Sequence, residues 1–259
     1  MIRNLFIIGA SGLALAIVGI GGAAAVGGSD LAKHSWTWVF DDNENDGVRV
    51  VREQLPAPIT RTIEWAGGDS LAIDIPGKVV FIQDASASGI TIEGQKELAE
   101  KVTLSDGRLR LDTPDRRGSD RSYVTWDASG IRGWNERERL TITIRAPSVK
   151  SFELFGHTNL LVRDYNQPDL KLALTGSADA EVIGRTQSIT VDASGHASAE
   201  LDELLTENAT IRTSGNADVE TSANGKVDVV ATGNSSISFS RRPAELRQEL
   251  SQEATVDQD

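Results

Sequence analysis

The fold class the sequence predicts is an all-β, right-handed parallel β-solenoid with repeats of about 19 residues, preceded by a signal peptide or a membrane anchor. Three observations predict it. A glycine-centred motif recurs five times in the second half of the chain. Short segments with period-two alternation of apolar and polar residues lie between the glycines, the mark of a half-buried strand. The composition is lean and β-branched, with 24 glycines and few aromatics, which suits short strands joined by tight turns.

The repeat glycines are Gly156, Gly176, Gly195, Gly215 and Gly233, at intervals of 20, 19, 20 and 18. A small or polar residue, or a histidine, follows each one, and a β-prone segment comes next, as in Ala180-Glu181-Val182 or Ile237-Ser238-Phe239. A second set of strands, such as Leu170 to Leu174, Ile189 to Val191 and Val227 to Val229, alternates between them. Repeats this short cannot bury a core alone and must stack, each coil covering the next. The recurring glycine supplies a positive φ, or room for close approach, at the same corner of every coil. A weaker form of the pattern runs through residues 61–145, where Asp106-Gly107 signals a hairpin turn between Leu104 and Leu109. These strands are expected to continue or cap the solenoid.

The motifs Leu174-Thr175-Gly176-Ser177-Ala178-Asp179, Thr213-Ser214-Gly215-Asn216-Ala217-Asp218 and Ala231-Thr232-Gly233-Asn234, together with Ile92-Glu93-Gly94 leading into Asp106-Gly107-Arg108-Leu109, resemble the putative auto-transporter adhesin head, GIN domain family. The resemblance covers roughly residues 60–240. It implies a β-helical fold in exported bacterial proteins and carries no catalytic residues with it.

The N-terminus bears on compartment. Arg3 is the only charge before Asp30, and the stretch from Asn4 to Ser29 is apolar or small. A positive start, an apolar run and Ala23-x-Ala25 match a secretory signal cleaved after Ala25. The rival is an uncleaved anchor, since 26 uncharged residues are enough to span a bilayer. Either implies a periplasmic or envelope protein. Residues 26–60 read as a linker. Within it, Trp36-Thr37-Trp38-Val39-Phe40 would rest at a membrane interface if the anchor is retained, or form a first strand packed on the core. The run Asp41 to Gly47 lacks the ligand spacing of a calcium loop and reads as spacer.

Charge and composition exclude several functions. The net charge of −12 argues against nucleic acid as a partner. The absence of cysteine removes disulfides, thiolate catalysis and cysteine metal sites. His157 and His196 sit two coils apart, about 10 Å by the stacking distance, too far to share a metal. Asn159, Asp179, Ser198, Asp218 and Ser236 hold the third place after each glycine and read as a polar ladder that satisfies turn backbone. With no paired carboxylates, nucleophile elbow or phosphate loop evident, no catalytic, cofactor or metal residues are assigned, and the chain is expected not to be an enzyme.

One segment carries a candidate ligand surface. The insertion at 112–137 lies in a window, 108–139, with eight arginines and six acids. Its Arg116, Arg117, Arg121, Tyr123, Trp126, Arg132 and Trp134 suit an envelope polysaccharide or a lipid head group, through bidentate pairing and stacking. The bland alternative is a solvated loop whose arginines pair with Asp115, Asp120, Asp127, Glu136 and Glu138. The acidic tail, 241–259, is expected to form one or two helical turns at Glu245 to Leu250, or to fray. The leading functional expectation is a non-enzymatic, adhesin-like or structural binding module. The alternatives are a carbohydrate-active β-helix enzyme and a membrane-anchored envelope-sensing subunit.

Overall fold

A computed structural model describes residues 36–40, 49–51, 57–112, 122–127, 130–135, 140–251 and 253–258. They divide into two units, 57–118 with 137–259 and 1–56 with 119–136. The larger unit is a β-solenoid and the smaller a four-stranded antiparallel sheet.

In the solenoid, each coil has one strand before the glycine corner and one after it, so the strands build two walls. The wall before the corner stacks β7 (Val102–Ser105), β8 (Arg108–Leu111), β4 (Ser70–Asp74), β12 (Ser151–Gly156) and β14 (Asp169–Gly176). It continues through the second half of β15 (Asp179–Gly195), then β17 (Leu204–Gly215), β19 (Lys226–Ala231) and β21 (Glu245–Leu250). The wall after the corner stacks β3 (Ile59–Ile63), β6 (Gly89–Gly94), β11 (Thr141–Ala146), β5 (Gly77–Gln83), β13 (Thr158–Asn166) and the first half of β15. It continues through β16 (Ser198–Leu201), β18 (Asp218–Thr221), β20 (Ser236–Phe239) and β22 (Thr255–Gln258). From β4 and β5 onward every coil-to-coil pairing is parallel. At the starting end, β6 runs antiparallel to β3 and β11, and β7 pairs antiparallel with β8. The β7–β8 turn is Asp106-Gly107, both at positive φ of 50° and 71°, as a type I′ hairpin requires.

The walls enclose a single core because alternate residues point inward. Phe152, Leu172, Val191, Ile211 and Val229 form one buried rank across adjacent strands. A second buried rank, Thr158, Ala178, Ala197, Ala217 and Ser235, fills the inside of the glycine corner with small side chains. Its two hydroxyls are satisfied: Thr158 Oγ1 donates to Phe155 O at 2.8 Å, and Ser235 Oγ to Thr232 O at 2.9 Å. Phe81 packs edge-on against Phe152 with centroids 5.1 Å apart, anchoring the first coils where the aromatics are concentrated.

The five repeat glycines all have positive φ, from 69° to 93°. They also stack directly: Gly156 pairs with Gly176, Gly176 with Gly195, and Gly195 with Gly215. From Gly176 onward, the residue after each glycine donates its N–H to the glycine carbonyl one coil back, as in His196 N to Gly176 O and Asn234 N to Gly215 O, both 2.7 Å. That carbonyl occupies the space a side chain would need. A Cβ on Gly195 would lie 2.6 Å from Gly176 O, and one on Gly233 would lie 2.5 Å from Gly215 O. The variable repeat length is absorbed away from this corner, for instance at the register shift between Val162 and Tyr165, where Asp164 takes a φ of 58°.

Three expectations need correction. Residues 26–60 hold strands rather than a plain linker: β1 (Trp36–Phe40), β2 (Arg49–Val51) and β3. The 112–137 insertion holds a hairpin, β9 (Ser122–Asp127) and β10 (Gly130–Asn135), whose β9 pairs antiparallel with β1. The segment Glu245 to Leu250 is strand β21, because the exposed edge of β19 offers its backbone groups and the segment takes them. A short helix does occur elsewhere, α1 (Lys96–Ala99), at the starting end, with Ala99 buried in the core.

Candidate functional site

The parallel stacking converts sequence columns into surface rows. On the wall after the corner, two rows of residues facing away from the core run in unbroken register over ten strands. One row reads Thr60, Glu93, Thr141, Lys78, Asn159, Asp179, Ser198, Asp218, Ser236, Thr255. The other reads Thr62, Thr91, Thr143, Val80, Leu161, Glu181, Glu200, Glu220, Ser238, Asp257. At about 4.8 Å per strand the face is roughly 43 Å long. Its starting half is rich in threonine. Its far half is acidic, with Asp179, Glu181, Glu200, Asp218, Glu220 and Asp257 all exposed. Between them lies an apolar step, half-buried Val80 beside Leu161, which is 6% exposed.

Glu181, Glu200 and Glu220 stand directly opposite one another on successive coils. Like charges so placed oppose folding. Among the described residues, none of the six acids of this half belongs to an ion pair. Separately from this repulsion, partial loss of hydration raises the Asp179 carboxyl from its ordinary value, with nearby His157 pulling the other way. A shallow depression of about 50 Å³ lies among Asn159, Asp179, Ala180, Glu181, Ser198 and Glu200. Enclosed small-molecule sites run to roughly 300 Å³ or more. The depression is therefore too small to enclose a small molecule.

The third residue after each glycine, Asn159, Asp179, Ser198, Asp218 and Ser236, does form a continuous row, but on the outer wall rather than in the turn, so most of its members face solvent. The second row, in the fifth place after each glycine (Glu181, Glu200, Glu220), is not anticipated above, although the same period carries it. His157 and His196 are exposed at the corner. Among the described residues no three histidine or acidic side chains converge on a point that would hold a metal ion.

Of the predicted ligand surface, Arg116, Arg117 and Arg121 lie outside the described residues, as do residues 1–35, the run Asp41 to Gly47, and Asp115, Asp120, Glu136 and Glu138. The others are placed by register in the four-stranded sheet, of order β10-β9-β1-β2. Trp126 stands opposite Trp36 and Ile131, and Val124 opposite Trp38 and Gly133. Tyr123 stands opposite Val39 and Trp134, and Thr125 opposite Thr37 and Arg132. Positions opposite one another share a face. Positions 36, 38, 40, 50, 122, 124, 126, 131 and 135 thus share one face, while Tyr123, Arg132 and Trp134 belong to the other with Arg49, Val39, Val51 and two threonines. Register thus puts Trp126 on the face opposite to Tyr123, Arg132 and Trp134.

The comparisons with known proteins agree with the fold. A family model described as "Putative auto-transporter adhesin, head GIN domain" matches residues 69–243. A solved structure of a "putative adhesin" from Bacteroides fragilis NCTC 9343 is similar, with a TM-score of 0.57 at 14% identity over 78% of this chain and 97% of that one. Another "putative adhesin", from Parabacteroides merdae ATCC 43184, gives a TM-score of 0.45 at 13% identity over 78% and 96% of the two chains. A "putative lipid binding protein" from Parabacteroides distasonis ATCC 8503 gives 0.43 at 11% identity over 78% and 97%. No curated protein matches the chain.

Proposed function

Because the chain belongs to the family described as putative auto-transporter adhesin, head GIN domain, we propose that it is an exported, non-enzymatic envelope protein that binds an extended polymer along the wall after the glycine corner. The observation that carries this reading is the pair of ten-strand outward rows, which repeat donor and acceptor groups at a fixed spacing along one flat face. The chemistry of the rows narrows the ligand. Seven acids against one lysine repel a polyanion. Carboxylates and threonine hydroxyls hydrogen-bond well to sugar hydroxyls, so a neutral envelope polysaccharide is the ligand class proposed.

A second reading has one observation in its favour. Glu181 and Glu200 are direct neighbours on adjacent strands, at a spacing of roughly 5 Å, near that of the carboxylate pair of a retaining glycosidase. The pair belongs to the fifth-place row, since in the third-place row Ser198 separates Asp179 from Asp218. No deep groove accompanies the pair, which is why binding is preferred.

One experiment addresses both. The full chain is incubated with a panel of insoluble neutral and anionic polysaccharides, and both retention on the polymer and released reducing ends are measured. Retention on a neutral polymer without new reducing ends is the expected result. Release of reducing ends that is lost in Glu200→Gln would replace binding with hydrolysis. Retention only on anionic polymers would remove this wall as the binding surface.

A further inference from the structure

We propose that the far end of the solenoid is a self-association surface, at which β21 pairs antiparallel with β21 of a second copy of this chain. This lies beyond the polymer-binding reading and does not rest on it.

The two ends of the solenoid are finished differently. At the starting end the core is closed. Helix α1 packs there with Ala99 buried, and the Arg61 guanidinium of β3 donates to Ala99 O at 2.9 Å, Glu100 O at 3.2 Å and Val102 O at 2.8 Å. At the far end, among the described residues, β21 pairs only with β19, and β22 only with β20. Leu246, Gln248 and Leu250 take the core-facing positions that Val227, Val229 and Ala231 hold one coil earlier. Those three are at most 2% exposed, whereas Gln248 is exposed and Leu250 is 38% exposed. Gln258 is likewise exposed in the row of buried Phe239. The last coil thus turns part of a core face, and a row of backbone groups, to solvent.

A free edge is a template for another strand unless it is blunted, for instance by lysine, proline or a bulge. Strand β21 contains neither residue, and its register with β19 runs without a shift over six pairs. Its own sequence supplies the occupant. Residues directly opposite one another in an antiparallel pair share a face. Arg247 must therefore stand opposite an odd-numbered residue of the second copy for the core-facing positions to stay together. Two such registers oppose it to a glutamate. Opposite Glu245, Arg247 leaves Leu250 beyond the paired strand. Opposite Glu249, it forms an Arg–Glu pair twice and sets Leu246 against Leu250 twice. The two Gln248 amides then meet on the two-fold axis, each with a donor and an acceptor to offer. This second register satisfies charge, apolar surface and amide together. In the single copy, Arg247 reaches Glu249 of its own strand at 3.3 Å, with both side chains largely exposed.

Pairing through one end closes after two copies, because α1 covers the other end. It also keeps the wall after the corner on the same side in both copies, which doubles the length of the face. Two strand edges bury less than a standard interface, so the dimer is reversible, with an expected Kd of roughly 10–100 µM.

Sedimentation equilibrium of the full chain in mild detergent tests the proposal. A monomer–dimer equilibrium is expected, weakened about tenfold or more by Arg247→Glu, which sets a carboxylate against Glu249 of the other copy at both places. Combining Arg247→Glu with Glu249→Arg should restore association to within about threefold of the unaltered chain. A chain that stays monomeric up to about 300 µM would overturn the proposal. So would an association unmoved by Arg247→Glu, or a combined variant no better than the single one. A second measurement reads the register. The chain has no cysteine, so Gln248→Cys and Glu245→Cys each present one thiol per copy. A short bis-maleimide should join two copies at position 248 and not at 245, where the thiols stand roughly 20 Å apart. Equal joining at both positions, or none at 248, would also overturn it.

Discussion

The two walls of the solenoid are stacked in the same way around the same core, yet they treat charge in opposite ways. On the wall before the corner, neighbours of opposite sign pair across coils. Asp192 meets Arg212 at 3.6 Å, Lys226 meets Glu245 at 3.6 Å, and Arg108 joins Asp74 at 3.0 Å while stacking over Phe155 at 4.4 Å. On the wall after the corner, Glu181, Glu200 and Glu220 are lined up as like charges. Folding alone would favour the first arrangement on both walls. The second is therefore the better candidate for a surface kept for something other than stability.

The largest expected effect breaks both walls at once, through the corner that joins them. Gly215→Ala would set a Cβ 2.8 Å from Gly195 O at a φ of 83°, so a loss of about 3 kcal/mol or more in urea unfolding is expected. Gly156→Ala meets nothing nearer than Asp74 Oδ1 at 3.8 Å and carries only the backbone cost of its φ of 69°, about 1–2 kcal/mol. Equal losses at the two positions would show that backbone strain, and not coil-on-coil contact, sets the glycine requirement.

The next effect lies on the paired wall. Arg108→Ala removes both the ion pair with Asp74 and the ring contact with Phe155, and should cost about 1 kcal/mol. A smaller effect, of opposite sign, belongs to the acidic wall. Glu200→Gln relieves repulsion from both neighbours and should stabilise by about 0.5 kcal/mol, whereas Asp192→Asn should destabilise by a few tenths of a kcal/mol, about the worth of an exposed pair. Chemical denaturation at low and high salt checks this, since salt should shrink both differences.

The smallest effect is a pH slope. The Asp179 carboxyl titrates higher in the folded chain than in the unfolded one, because burial disfavours its charged form. Between those two values the folded state binds more protons, so its contribution to stability falls as pH rises through the window and stays low above it. Asp179→Asn should flatten that part of the stability profile and raise stability at neutral pH. A profile that steepens instead would mean that His157 outweighs desolvation.

Much of the solenoid is legible in the sequence because its contacts repeat. Each coil needs the same glycine corner and the same small residue behind it, so a structural constraint of one coil is written five times, at Gly156 and its successors. The acidic rows are legible by the same period, in the fifth place after Gly176, Gly195 and Gly215, once neighbouring coils are read together. The aromatic sheet is not, because β1 pairs with a hairpin more than eighty residues away and such pairing leaves no local trace. The mixed charge around Tyr123 to Trp134 reads as loop, although Asp127-Ala128-Ser129-Gly130 has turn chemistry. Strand β21 is a tertiary effect: Glu245-Leu246-Arg247-Gln248-Glu249-Leu250 has no β-branched residue, and its pairing with β19 overrides local preference.

The most direct test of the acidic wall as a binding surface takes both stability and binding from one variant, Glu200→Lys in the full chain. Unfolding free energy and retention on the neutral polysaccharide selected by the panel are measured side by side with the unaltered protein. The lysine joins Glu181 and Glu220 in opposite-charge contact, so stability is predicted to rise while retention falls at least about tenfold. Unchanged retention, or a loss of stability that accounts for the loss of binding, would contradict the assignment of this wall.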